Sequence, residues 1–320
     1  MLSDLGEIML VYIKPLSMFP KLHSDTLFGA LTSAINELFP DKIDEMISEF
    51  KNSNPPFLIS STFPFIDING DKKRFLPKII LNTDFGEVKN VNLIKEYKKV
   101  DYLEEEIFLD IINGKLSEVD ILNNFDNYHK LGNLLMKKDY DMEIISKKNI
   151  LPNNSVNRLT NETEAIFYSE GLEFGNLALF FFVEILNDEY DNIIKSAIKF
   201  LKDRGFGKDI STGKGQFDYE LEDIALNNLH GNTGDKFITL SRFIPTGDDL
   251  GKIIADANYE IGSKRGRDKS GEIRKQVRFF KEGSTFRNSK EIYGQIVDSG
   301  KIASAIEYGY AFALKYNEGV

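Results

Sequence analysis

Apolar positions along the chain recur at two spacings, every second residue in some stretches and every third or fourth in others, and the changes between them mark out an α+β fold. Residues 8–15 form a strand-length apolar run. A helix starts at Ser24 or Asp25, either of which can cap it, and sets Leu27, Phe28, Leu31, Ile35 and Leu38 at helical spacing before Pro40. Met46, Ile47 and Phe50 add a short second helix. Residues 57–65 and 75–81 read as strands around the hairpin-turn pair Asn69-Gly70. Residues 84–148 are more helical, with Leu103, Ile107, Phe108, Ile111 and Ile112 along one stripe, and read as an insertion. Residues 176–186 are a nearly continuous apolar strand of a sheet interior. Ile193, Ile194, Ala197, Ile198 and Leu201 then mark an amphipathic helix, and Phe217, Tyr219 and Leu221 alternate with Asp218, Glu220 and Glu222 in a half-buried strand.

The order strand, helix, strand, strand, then strand, helix, strand resembles a ferredoxin-like α+β arrangement carrying insertions. Residues 230–235, H-G-N-T-G-D, suit a linker, which divides the chain into a first domain over 1–229 and a smaller one over 230–320. The second is expected to hold strands near residues 238–243, 254–261, 273–280 and 285–286. Period-two alternation over residues 305–316 predicts a closing strand.

Composition narrows the chemistry. The 320 residues include no cysteine and three histidines, which removes disulfides, thiol nucleophiles and thiolate metal sites. No apolar run approaches the ~18 residues of a membrane span, and the first residues lack the marks of a signal peptide, so a cytoplasmic protein is expected. Asp67, Asn69 and Asp71 do not complete a calcium loop, because Lys78 stands at its twelfth position. The acids at residues 101–110 read as a solvated helix face, and neither metal nor cofactor is called for. The net charge is −10, yet residues 264–290 hold ten basic residues against Asp268, Glu272 and Glu282. Such asymmetry fits one polyanion-binding face on an acidic body.

The candidate site is R-G-F-G-K-D-I-S-T-G-K-G-Q-F, residues 204–217, directly after the strong helix. Gly205 suits the left-handed position that ends that helix. Four glycines at this density bring backbone N–H groups close to a bulky ligand, and Lys208 and Lys214 indicate an anion. The spacing matches neither the triphosphate-binding loop, with Lys208 and Gly215 where that motif needs glycine and serine or threonine, nor the dinucleotide fingerprint, with Ile210 in place of a third glycine.

Four motifs, H-S-D-T-L-F-G-A-L (23–31), N-R-L-T (157–160), the glycine-rich loop and F-K-E-G-S-T-F (280–286), resemble those of the RAMP superfamily of CRISPR proteins. The likeness is greatest to the type III-A subunit that caps the 5′ end of the CRISPR RNA. The resemblance implies two ferredoxin-like, RRM-type domains and a non-catalytic, RNA-binding role in an antiviral ribonucleoprotein complex. It further implies a backbone RAMP subunit and a large polymerase-palm subunit as partners, the latter expected on the insertion. The RRM aromatic signature is missing, so RNA contacts are expected from loops. On this reading Arg204, Gly205, Gly207, Lys208, Ser211, Thr212, Gly213, Lys214 and Gly215 hold tag phosphates, with His23 and Ser24 at a helix amino end. Arg158, Arg242 and a basic hairpin with Arg265, Arg267, Lys269, Arg274, Lys275 and Arg278 guide the strand. The alternative is a metal-independent endoribonuclease with His23 as general base.

Overall fold

The computed structural model of the protein describes residues 7–20, 22–68, 70–138, 146–156, 163–174, 176–207, 213–225, 234–267, 272–301 and 305–317. The chain opens with β1 (Glu7–Pro15), α1 (Ser24–Leu38), α2 (Pro40–Lys51), β2 (Phe57–Ile59), β3 (Phe63–Ile68) and β4 (Asp71–Pro77). It continues through α3 (Val91–Tyr97), β5 (Tyr102–Glu104), α4 (Glu105–Ile112), α5 (Glu118–Asn123), β6 (Tyr128–Leu131) and β7 (Leu134–Lys137). Next come the antiparallel ribbon of β8 (Ser146–Val156) and β9 (Thr163–Phe174), then β10 (Leu177–Ile185), α6 (Glu189–Arg204) and β11 (Phe217–Ala225). The C-terminal part holds β12 (Lys236–Thr239), α7 (Gly247–Ile253), β13 (Ile261–Lys264), β14 (Val277–Phe280), β15 (Thr285–Arg287), β16 (Val297–Asp298), β17 (Ile306–Glu307) and β18 (Ala313–Tyr316).

The large sheet runs β11-β1-β10-β3-β4-β5-β7-β6, with β2 also paired to β10. Every pairing in it is antiparallel except β5 with β7. Residues 8–13 of β1 are all buried, so both faces of the sheet are covered there. On one face the register aligns Val11 with Phe181 and Leu221. α1 and α6 bury their apolar stripes in the same core. On the other, Tyr12 meets Phe65 edge-on at 4.9 Å and Phe182 stacks on Phe312 at 5.6 Å.

Phe312 comes from the C-terminal part, and it does not come alone. Phe28 of α1 stacks on Tyr308 at 5.0 Å, and the Tyr310 hydroxyl donates to the Phe50 carbonyl. Tyr308, Tyr310, Phe312, Leu314, Ile238 and Leu240 thus belong to the main core, while Phe237, Phe243, Phe286 and Tyr293 form a smaller cluster. β12 lies between β15 and β18 over that second cluster.

Four sequence expectations need correction. The stretch 84–148 is not a helical insertion alone: β5, β6 and β7 extend the main sheet, because Leu103, Leu135 and Leu76 bury side by side. Residues 57–65 do not form one strand. Ser60, Ser61 and Thr62 interrupt it and send their N–H groups to the carbonyls of Phe182, Leu240 and Leu22, three different parts of the fold. Residues 254–260 follow α7 as turns and extended chain with one isolated bridge, Asn258 to Thr285, and a continuous strand starts only at Ile261. The closing strand is two pieces, since residues 308–312 leave sheet pairing to bury two tyrosines and a phenylalanine. The hairpin turn is as expected, with Ile68 opposite Asp71 and the Gly70 N–H bonded to the Asp67 carboxylate. The expected linker falls largely outside the described residues.

Gly283 explains the F-K-E-G-S-T-F motif. It has φ +87°, and a Cβ there would sit 2.2 Å from the Lys78 carbonyl oxygen. The Ile80 N–H bonds to the Gly283 carbonyl in the same contact. A side chain is therefore excluded by both conformation and space. Gly283→Ala is expected to cost about 2–4 kcal/mol, measured by urea unfolding, and a change below about 0.5 kcal/mol would contradict the contact.

Candidate nucleic-acid interface

The glycine-rich segment is fastened to the connection between β1 and α1. Gly205 caps α6 with φ +90° and an extended ψ of 163°, so it ends the helix outside the left-handed helical region expected for it. The Phe206 N–H donates to the Gly215 carbonyl, and the Gly215 N–H donates to the Met18 carbonyl. Gly215 has φ +72°, and a Cβ there would lie 1.8 Å from the Phe206 carbonyl oxygen, so no other residue fits. The Gln216 N–H donates to the Ser17 hydroxyl and the Leu16 N–H to the Gln216 carbonyl. Phe19, Phe206 and Phe217 pack beneath. The two ends of the loop are thereby locked together, with open space around Gly213 and a half-buried Lys214 next to it. Lys208, Ser211 and Thr212 lie outside the described residues, as do Arg158 and Lys269. Arg204 pairs with Glu37 on α1, and Gly207 approaches Pro20.

The start of α1 is a junction rather than an open anion site. His23 is its N-cap residue, and its Nδ1 lies 2.8 Å from Glu282 Oε1. Ser61 donates its hydroxyl to the same carboxylate oxygen and accepts from the Ser24 N–H. The Ser24 hydroxyl accepts from the Arg242 N–H. Asp25, buried, takes Arg242 at 3.1 Å and Lys264 at 2.6 Å, and Lys264 also reaches Glu307 at 2.9 Å. Arg274 donates to the other Glu307 oxygen at 2.9 Å. The Arg242 guanidinium lies over the Phe279 ring at 4.4 Å.

These neighbours set the charge states. Burial pushes the Asp25 carboxyl up, but Lys264 and Arg242 together hold it below the ordinary aspartate range. Burial likewise opposes ionisation of Glu282, and the His23 and Ser61 contacts bring its pKa down to about 2. Both carboxylates stay charged at neutral pH and must keep their partners.

The structure therefore divides the sequence-predicted basic residues. Arg242 and Arg274 point their guanidinium groups into buried carboxylates. Arg265, Arg267, Lys275 and Arg278 are exposed around β13 and β14, with Arg265 donating to the Arg274 carbonyl. His23 and Ser24 serve the junction. Sequence reasoning missed Ser61 and Glu307, and it read Asp25 as a cap, Lys264 as part of the basic run and Glu282 as one acid within it rather than as members of one junction; the available signal was Ser60-Ser61-Thr62, three hydroxyls in a row inside an apolar strand pattern.

A cleft of about 890 Å³ opens beside the junction. Its walls come from residues 77–81 after β4, from the stretch holding Phe85, Tyr102 and Glu118, and from the C-terminal Phe279, Lys281 and Glu282. Lys78, Lys98, Arg242 and Lys281 line it together with Asp101, Glu118, Glu260 and Glu282, with Lys281 paired to Glu260 at 2.8 Å and Arg242 to Asp25. Lys78 sits 3.7 Å above the Tyr97 ring and donates to the Tyr97 carbonyl. Burial pulls its ammonium below the ordinary lysine range against the opposing pull of Glu118 and Asp101. Among the described residues no cluster of three or more side chains could hold a metal, and no helix is long and apolar enough to cross a membrane.

Comparison with known proteins gives this geometry its relatives. The RAMP superfamily model matches residues 16–218, and the CRISPR Csm4 C-terminal domain model matches residues 232–316. A curated relative from Thermococcus onnurineus (strain NA1), described as CRISPR system Cms protein Csm4, is 23% identical over 276 residues, covering 83% of this chain and 81% of its own. Among solved structures, a chain of a Csm3-Csm4 subcomplex from a type III-A CRISPR-Cas interference complex superposes with TM-score 0.70 at 17% identity, over 97% of this chain and 100% of the other. A chain of a Csm1-Csm4 cassette in complex with pppApA gives TM-score 0.60 at 19% identity, over 97% and 98%. With the glycine-rich segment, α1 and strands β2–β10 inside the first match, the chain belongs to the RAMP superfamily, and β12–β18 lie inside its match to the Csm4 C-terminal domain.

Proposed function

We propose that the chain is a non-catalytic RNA-binding subunit of a type III-A CRISPR interference complex. It holds the 5′ repeat-derived tag of the CRISPR RNA and joins a backbone RAMP subunit to the large polymerase-palm subunit. The observation that carries this reading is the glycine-rich segment, whose flanks are locked together by backbone hydrogen bonds at Phe206 and Gly215, around a sequence that carries Lys208 and Lys214 among small polar residues. The partners are those of similar chains, which occur with Csm3 and with Csm1.

The strand order β11-β1-β10-β3 with helices α1 and α6 in the crossovers supports a ferredoxin-like first domain. The three-stranded β15-β12-β18 sheet with its short helix carries part of that pattern in the second. Lys208, Ser211, Thr212 and Lys214 contact tag phosphates, and Arg265, Arg267, Lys269, Lys275 and Arg278 extend the track, with Arg158 beside it. Arg242 and Arg274 position rather than touch RNA. His23 is held by Glu282 as a structural joint, which favours binding over the endoribonuclease alternative.

Tag RNA is expected to bind with affinity that falls steeply with salt. Lys208→Ala/Lys214→Ala should weaken it about tenfold and flatten the log–log salt slope by about 1.4, two single-stranded phosphate contacts. Undiminished binding by the double variant would count heavily against the loop. RNA recovered after incubation in EDTA should be intact; shortening that disappears in His23→Ala would make the chain a nuclease.

Glu282 supplies a test of the joint. Its folded pKa, about 2, lies below the ordinary 4.5, so its contribution is full above about pH 5 and is lost as pH falls towards 2. Wild-type protein should therefore lose about 2 kcal/mol more stability than Glu282→Gln between pH 6 and pH 3, read by urea unfolding at each pH. Parallel pH profiles would show that the pair contributes nothing.

A further inference from the structure

The connection between β1 and α1 is held at both of its ends, by two different parts of the molecule. At its near end the Leu16 N–H, the Ser17 hydroxyl and the Met18 carbonyl bond to Gly215 and Gln216 of the glycine-rich segment. Phe19 is buried against Phe206 and Phe217, and Pro20 stands beside Gly207. At its far end the Leu22 carbonyl accepts from both the N–H and the hydroxyl of Thr62, His23 reaches Glu282, and the Ser24 hydroxyl accepts from the Arg242 N–H. One short strap, residues 16–20 and 22–24, thus ends on the loop and on the joint with the C-terminal part.

The strap has little slack. Its anchors are mostly backbone groups and hydroxyls, which cannot stretch as a long side chain does, and a shift of about 0.5 Å takes a 3.0 Å hydrogen bond to the limit of bonding. Immediately beyond it, Asp25 takes Arg242 and Lys264, and Phe28 stacks on Tyr308. A seated strap therefore also seats α1 on the C-terminal part. Its alternative is local opening, in which loop flanks, strap and joint loosen as one unit. A ligand that needs the loop flanks in place has less left to order when the joint already holds the strap still.

We propose that this strap links occupancy of the glycine-rich loop to closure of the joint between the N-terminal and C-terminal parts. RNA held at the loop tightens the joint, and a tight joint raises the affinity of the loop by the same factor. The inference rests on the RNA-binding reading and adds a regulation to it. Ser17 and Pro20 are positioning residues on this account, the first fixing the strap to Gln216 and the second stiffening it beside Gly207. Tyr308 acts from the opposite end. It is buried, its ring covers Phe28, and its hydroxyl accepts from the Ile59 N–H at 3.1 Å, all remote from the basic residues.

The test uses the full-length protein and tag RNA, with anisotropy for binding and amide hydrogen exchange for the joint. Saturating RNA should slow exchange of the Thr62 and Arg242 amides, which bond to the strap, about fivefold, the lower end of ordinary coupling between sites. Tyr308→Phe, which loosens the joint by leaving the Ile59 N–H unpaired, should weaken RNA binding by a similar factor of about five. In a Ser17→Ala/Pro20→Gly background both effects should disappear: RNA leaves the two amides unchanged, and adding Tyr308→Phe weakens binding no further. RNA binding without slowed exchange in the wild type overturns the strap and leaves the RNA-binding reading standing. The same holds if the slackened background keeps the slowed exchange, since RNA would then touch the joint directly, or if Tyr308→Phe has equal effect in both backgrounds. Failure of the RNA to bind the wild type at any salt concentration overturns both.

Discussion

Asp25 is the group on which the arrangement depends. A carboxylate buried in the first turn of α1 is tolerable only with full compensation, and both of its cations, Arg242 and Lys264, come from the other end of the chain. Once they are in place the consequences spread. Lys264 brings Glu307, Glu307 brings Arg274, and the Arg242 backbone takes the Ser24 hydroxyl. Aromatic stacking then fills the space beneath, Phe28 on Tyr308 and Phe182 on Phe312. The ion pairs specify the register of the join and the rings supply the area it buries. Neither would suffice alone, since buried ion pairs contribute little net stability while rings without polar partners allow many alignments.

The elements legible in the sequence were those whose signal is local. β1, α1, α2, β10, α6 and β11 all show in periodicity, and the pairings that bring them together follow from burying those stripes. β5, β6 and β7 were hidden because strands of three or four residues carry too few alternations to be told from a helix stripe, and α4 begins immediately after β5. The break at residues 60–62 was hidden for another reason. Its hydroxyls satisfy donors and acceptors from three distant segments, which no local pattern records.

The site divided in the same way. The glycine-rich loop declared itself by composition, because Gly207, Gly213 and Gly215 all stand at positive φ and Gly215 also lies against the Phe206 carbonyl, where no other residue fits. The basic residues did not, because a lysine or arginine looks the same in sequence whether it faces solvent or a buried carboxylate. Arg242 and Arg274 belong to the second kind, and the acidic partners that reveal it, Asp25 and Glu307, lie 217 and 33 residues away. Charge counting over residues 264–290 therefore overstates the cation available to a ligand.

The span of the Asp25 contacts also fixes when the fold can be completed. During synthesis α1 leaves the ribosome more than two hundred residues ahead of Arg242 and Lys264, and Tyr308 follows later still. Until then its first turn carries an uncompensated carboxylate, and Phe28 lacks the ring that will cover it. The nascent N-terminal sheet thus waits with an unfinished face for its own C-terminal end, and a chain cut short before residue 308 would keep that face open.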